Sequence, residues 1–341
     1  MTTRNIWMQL AVIVPMLCML SIGVLAVEPI TTQNAEDIVE RAVIDHHTRV
    51  IYSVAWSPDG AMLASGSDDC TIRLMDTTTW EVTRRINGHT GSVWCVAWSP
   101  DGTRLASAGS DGYVRIWDPS TGERLAEIPG SPAYSVAWTP EGNLLASGHG
   151  NGTVCLIDPV SGEKTTSWPG HIEGGHSTEV IGLAWSPDGQ TLASGGIDYA
   201  VRLWDREGNA LSVLRASTQS RNDINGLAWS PDGLSLAAAG QAASVRIWDV
   251  ATEEEQHVLH IYGSWTRGVA YSPSGDILAT TGSDKGLTLW DSSTGTRLVM
   301  LRGHDAPVWS VAWSPDGSQL ATGSGFYASG SGDTSVRVWG L

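Results

Sequence analysis

The sequence contains one phenylalanine in 341 residues, four cysteines, and 20 basic side chains against 36 acidic ones. No two cysteines have the CxxC spacing, so neither a disulfide scaffold nor a structural zinc site is expected. The net charge of −16 speaks against a protein that tracks nucleic-acid phosphates, which needs clustered lysine and arginine to displace counterions. Beyond residue 45 no segment carries a convincing 3.6-residue apolar period, so helices are not expected to build the body. No phosphate-cradling glycine motif precedes a helix. The His46-His47 and His257, His260 pairs lack a cysteine or carboxylate cluster, so no metal and no cofactor is expected. What is present excludes disorder, since 41% hydrophobic residues can bury a large core. Seventeen tryptophans stand beside the single phenylalanine, and so many indoles need a periodic explanation.

The amino terminus differs from the rest. Ile6 to Val27 is a run of 22 residues without a charged side chain, between Arg4 and Glu28. That length can cross a bilayer, while Val24-Leu25-Ala26 would serve as a signal cleavage site. Residues 1–30 are therefore expected to be a signal peptide or a membrane anchor. Either places residues 31–341 outside the cytoplasm, exported and then released or anchored.

The remainder is repetitive. WSPDG begins at Trp56, Trp98, Trp185, Trp229 and Trp313, with WTPEG at Trp138 and YSPSG at Tyr271, at intervals of 42, 40, 47, 44, 42 and 42 residues. Periods of this size mark a supersecondary unit that cannot bury its own face alone. Each copy reads as short strands: an apolar segment such as Val93 to Trp98, a Pro-Asp-Gly turn, a Leu-Ala-Ser segment, a Gly/Asp loop, then Val-Arg-Ile-Trp-Asp. Four strands per copy fit the count.

The Gly-His pairs at Gly88-His89, Gly170-His171, Gly175-His176 and Gly303-His304, with Trp-Asp at Trp117-Asp118, Trp204-Asp205, Trp248-Asp249 and Trp290-Asp291, resemble the WD-repeat β-propeller family. The resemblance implies an all-β, seven-bladed propeller with four antiparallel strands per blade. The chain stops two residues after Trp339, so the last copy lacks an outer strand. Ile38 to Ile44 has the missing strand's pattern and is expected to pair with Val336 to Trp339, closing the ring and removing open sheet edges.

Counted from each anchor aromatic, a His falls nine residues before, a Ser or Thr nine after, an Asp thirteen after and a Trp nineteen after. The sets are His89, Ser107, Asp111 and Trp117 in blade two, and His176, Ser194, Asp198 and Trp204 in blade four. In blade seven they are His304, Asp333 and Trp339 with Thr322 or Ser329. Blade one keeps His47, Ser65 and Asp69. A Ser-His-Asp hydrolase is excluded by recurrence, because a triad is needed once. A buried hydrogen-bond network fits better, and the family's structural tetrad resembles it. Blades three, five and six depart at Asn151 and Ile157, Ala238 and Ala242, and Tyr262, and are expected to rely on apolar packing.

Four residues before each anchor stand Tyr52, Trp94, Tyr134, Ile181, Asn225, Arg267 and Trp309. Strict strand alternation puts Trp94 on the side of Trp98; the resemblance implies instead a position at the channel mouth, which requires a bulge. Tyr52, Trp94, Tyr134 and Trp309, extended by Trp265 and Arg267, would form an aromatic arc suited to docking a peptide or protein, the alternative being that these aromatics are repeat consensus and only pack. Glu179, Asp223 and Asp68 near the same rim favour a basic partner. The expected function is a non-catalytic interaction scaffold. The alternatives are a small-ligand sensor or enzyme using the channel and a structural subunit of an envelope assembly, and oligomeric state is left open.

Overall fold

A computed structural model describes residues 28–341 apart from 174–175, 178, 216–222, 242–243, 262, 264 and 327–331. The expected signal or anchor lies outside the described residues. No helix among the described residues is long and apolar enough to cross a membrane.

Seven four-stranded antiparallel sheets follow one another along the chain as the seven blades. Blade two shows the pattern: Val93–Trp98, Leu105–Gly109, Tyr113–Trp117 and Arg124–Pro129. The first turn of each blade is set by its own chemistry. In blade one the Ser57 hydroxyl and the Ala61 amide both donate to Asp59, at 2.5 and 3.0 Å, and Gly60 takes φ +72°. A β-carbon is strained at that φ, so the turn calls for glycine. The second strands are almost wholly buried, as in the burial of every residue from Leu105 to Gly109. Apolar clusters fill the spaces between consecutive blades, for example Ala106, Val114 and Ile116 of blade two with Val136, Trp138 and Leu145 of blade three.

Most of the anchor indoles hold these seams. Trp98 donates to the Ala55 carbonyl, Trp138 to Ala97, Trp185 to Ala137, Trp229 to Ala184 and Trp313 to Ala270, at 3.0 to 3.2 Å. Each acceptor is the residue just before the preceding blade's anchor. Trp56 completes the circle by donating to Ala312 of blade seven at 3.2 Å. At the seam of blades five and six the anchor is Tyr271, which has no indole N–H.

The ring closes as expected. Val39–Ile44 lies antiparallel on Val336–Gly340, with Ala42 opposite Val338 and Ile44 opposite Val336. The closure reaches further towards the amino terminus than the sequence indicated. Ile30, Ala35 and Ile38 are buried in one cluster with Ile277, Leu287 and Leu289 of blade six and Leu320 and Trp339 of blade seven. The Ile30 amide donates to the Gly317 carbonyl at 2.9 Å. Residues 30–44 thus tie the last two blades together.

Candidate functional site at the channel mouth

A polar network stands at the start of several blades. In blade two His89 donates from Nδ1 to Asp111 at 3.0 Å, and its Nε2 accepts from the Ser107 hydroxyl at 2.7 Å. The Trp117 indole donates to the same hydroxyl at 2.8 Å. Blade seven repeats this with His304, Asp333, Trp339 and Thr322, so Thr322 is the hydroxyl used; Ser329 lies outside the described residues. Blade one has the His47, Ser65 and Asp69 bonds.

Blade four corrects the sequence count. The imidazole that bonds Ser194 at 2.8 Å and Asp198 at 2.6 Å belongs to His171 and not to His176. Elsewhere the histidine stands four residues before the first strand, as His89 does before Val93. In blade four His171 stands nine residues before Val180, because Ile172–Glu173 and His176–Ser177 form a small extra hairpin. Counting back from Trp185 therefore falls on the wrong histidine. The outer strand carried the right signal: Trp168 stands three residues before His171, as Ile86 does before His89.

Blade three departs from apolar packing as well. His149 accepts from Ser147 at 3.0 Å and donates to the Ser131 carbonyl at 3.0 Å. It occupies the position of Gly109 in blade two, where a β-carbon would lie 2.4 Å from His89 Nδ1. The imidazole enters the same slot from the opposite strand. Ala242 and Tyr262 lie outside the described residues. In blade six Thr280 still accepts from the Trp290 indole at 2.8 Å.

The count also missed arginines of the Val-Arg-Ile-Trp segment. Arg115 donates to Asp111 at 2.8 Å and to Glu127 at 2.8 Å, and Arg202 donates to Asp198 at 2.7 Å. Burial alone would raise the Asp111 carboxyl; the Thr90 amide, Arg115 and His89 outweigh it and hold it down to about 2. Asp69 and Asp333 are likewise held below the ordinary range, burial being outweighed chiefly by His47 and His304. Burial pushes His47, His89 and His149 downward, so they are favoured neutral.

At the axis the six expected mouth residues come together. In every blade the first strand slips register at the residue four before the anchor, as between Val93 and Cys95 around Trp94 and between Thr266 and Gly268 around Arg267. The same slip surrounds Tyr52, Tyr134, Ile181, Asn225 and Trp309. A bulged residue leaves the alternation of its strand, and all seven line one cavity of about 190 Å³ at the axis. Trp94 stacks on Tyr134 with ring centres 4.2 Å apart and planes 4° apart. Trp309 packs edge-on against Tyr52 at 5.6 Å and lies 4.5 Å from Trp265. The Arg267 guanidinium sits 5.5 Å from the Trp309 ring and 5.8 Å from Tyr52. The arc is not uniformly open. Tyr52 and Trp309 are 5% and 6% exposed, and the Trp309 indole donates to the Gly325 carbonyl at 2.9 Å. They back the surface, while Trp94, Tyr134, Trp265 and Arg267 are half-buried and face it. On the rim Asp68 accepts from Ser92 at 2.5 Å and Arg49 at 3.2 Å, and Asp223 accepts from Gln241.

Seven bulged blades closed through a terminal strand define a β-propeller of the repeat type. The family model for the WD domain, G-beta repeat, matches residues 39–76, 80–118, 122–158, 162–205, 208–249, 254–291 and 295–340, and the chain belongs to that family. Its propellers are generally non-catalytic and commonly serve as scaffolds for protein interaction. Comparison with curated proteins returned no match.

Two predictions follow from the network. His171→Gln should cost about 1–3 kcal/mol in urea unfolding by leaving Ser194 and Asp198 short of a partner. An unchanged urea midpoint would contradict the assignment. For pH, the unfolded chain takes up protons on His47, His89 and His149 as pH falls through their ordinary value of 6.5, while the folded state resists. Their contribution is complete above that value, so the urea midpoint should fall between pH 7 and pH 5. A further fall is expected below about pH 4, where the unfolded state protonates the counterparts of Asp69, Asp111 and Asp333. A midpoint constant from pH 7 to 5 would contradict the first part.

Proposed function

We propose that this propeller is a non-catalytic scaffold that docks a peptide or protein on its channel mouth, with Trp94, Tyr134, Trp265 and Arg267 as the contact side chains and Tyr52 and Trp309 as their support. The observation that carries this is the bulge in all seven inner strands, which takes one residue per blade out of its strand's alternation and brings all seven to one cavity at the axis. Three indoles, two phenols and a guanidinium gathered there are the groups that dominate binding energies at interfaces. Glu179, Asp68 and Asp223 beside the rim favour a partner of basic character, through encounter rate and orientation more than raw affinity. The bulged residues at the mouth are aromatic, apolar, amide and guanidinium; Ser53, Cys95, Ser135 and Ser310 also line the cavity, but no imidazole or carboxylate stands beside them among the described residues, and this favours docking over turnover.

The test is quantitative capture of partners from source cells by the native chain and by a Trp94→Ala, Arg267→Ala variant whose unfolding midpoint is checked in parallel. Neither side chain is fully buried, so the variant is expected to fold. Captured partners should fall by at least about tenfold. Recovery of the same partners in the same amounts by a folded variant would show that the mouth is not the docking surface.

A further inference from the structure

A second cleft lies at the other end of the strands. In blade one the bulge at Tyr52 lies near the start of the strand Ile51–Trp56 and the turn at Ser57 to Gly60 follows its end, so the turns lie on the face opposite the mouth, about 17 Å away. Between blades one and two this face holds a cleft of about 620 Å³, a size suited to a small molecule. Its apolar walls are Pro58, Met62, Trp98 and Pro119, and its rim carries Asp59, Asp101 and Arg84.

The charges decide what fits. Asp59 accepts from the Ser57 hydroxyl and the Ala61 amide, and Asp101 from the Ser99 and Thr103 hydroxyls and the Thr103 amide. All these donors are neutral, so both carboxylates bring their negative charge to the rim. The bonds from Ser57 and Ser99 lead in holding the two carboxyls below their ordinary range. Arg84 is committed across the cleft, donating to the carbonyls of Ser120 and, at 2.7 Å, Thr121, and it closes the outer end. The Trp98 N–H is already given to Ala55, which leaves its ring as an apolar and π surface in the wall. An indole wall with two carboxylates above it suits an ammonium group carried on an apolar body.

Two other seams differ from this one. Between blades seven and one the cleft is about 280 Å³, and Trp80 packs edge-on against Trp56 at 5.9 Å. Between blades four and five it is about 490 Å³, bounded by Trp229, Asp188 and Asp232, with the 62%-exposed Leu234 in its lining. The seam of blades one and two is the roomiest of the three and adds Pro119 and Arg84 as a third side.

We propose that the cleft between blades one and two binds a small organic amine, its ammonium between Asp59 and Asp101 and its apolar body against Trp98, Met62, Pro58 and Pro119. This site is separate from the mouth and does not depend on the docking function.

The test titrates phenethylammonium into the full-length chain carrying ¹³C-methyl methionine, with the Met62 methyl signal assigned through Met62→Leu. Saturable movement of that signal is expected, with affinity at least about fivefold higher than for neutral 2-phenylethanol. In an Asp59→Asn, Asp101→Asn variant, whose amide oxygens can keep the turn bonds, the two probes should bind alike. Arg84→Gln should strengthen binding of the cation. Equal binding of the two probes to the native chain, an unmoved Met62 signal, or an unchanged preference in the Asn variant would overturn the proposal. So would a blocked lysine peptide that binds more tightly than the free amine, since the occupant would then be a protein side chain.

Discussion

Closure of the ring is the constraint on which everything else rests. A blade buries its faces only against its two neighbours, so an open array would leave two blades each with one face uncovered and a chain of seams free to shear. Two independent contacts prevent that here. Near the axis the Trp56 indole donates to Ala312, joining blade one to blade seven by the same bond that joins five other pairs. At the rim Val39–Ile44 supplies blade seven with its outer strand, and the Thr334 hydroxyl donates to the His47 carbonyl at 3.0 Å beside it. Ile30, Ala35 and Ile38 extend the tie across blade six.

The mouth inherits its geometry from this circle. Each bulged residue is held by its own blade, yet the contacts that shape the site cross between blades: Trp94 of blade two on Tyr134 of blade three, Trp309 of blade seven on Tyr52 of blade one. The second of these spans the closure itself. In blades two, four and seven the His-Ser/Thr-Asp-Trp bonds tie the loop before the first strand to the second and third strands of the same blade. Burial of a neutral imidazole and a charged carboxylate is tolerated there because every polar atom named has a partner. A site made of rigid elements suits recognition of a partner without turnover.

The fold could be read from the sequence because its signal is periodic and each period carries turn chemistry that admits few conformations. The closing strand could be read as well, since a missing outer strand at one end and a spare one at the other are both visible as patterns. The site was only partly visible. Spacing finds a histidine only where no residues are inserted, so the hairpin before Val180 moved the count from His171 to His176. His149 was overlooked because it enters the network from a position that is glycine in other blades, and no spacing rule anticipates an exchange of side chain between facing strands. The arginines stand within the strand motif, but the spacing counted from the anchors covered His, hydroxyl, Asp and Trp alone, and burial of a guanidinium such as Arg115, 4% exposed, depends on carboxylates brought to it by the fold. Burial of Tyr52 and Trp309 depends on contacts between copies far apart in the chain, which one copy's sequence does not encode.

Hydrogen exchange in the unmodified chain tests the closed ring most directly. Val336–Gly340 has Gln319–Ser324 on one side and Val39–Ile44 on the other, so its amides point alternately to both. The account predicts that all of them exchange as slowly as those of Tyr113–Trp117, the equivalent inner position of blade two. If the amides directed towards Val39–Ile44 exchange at the rate of exposed edge strands while their alternate neighbours stay protected, the ring is not closed as described.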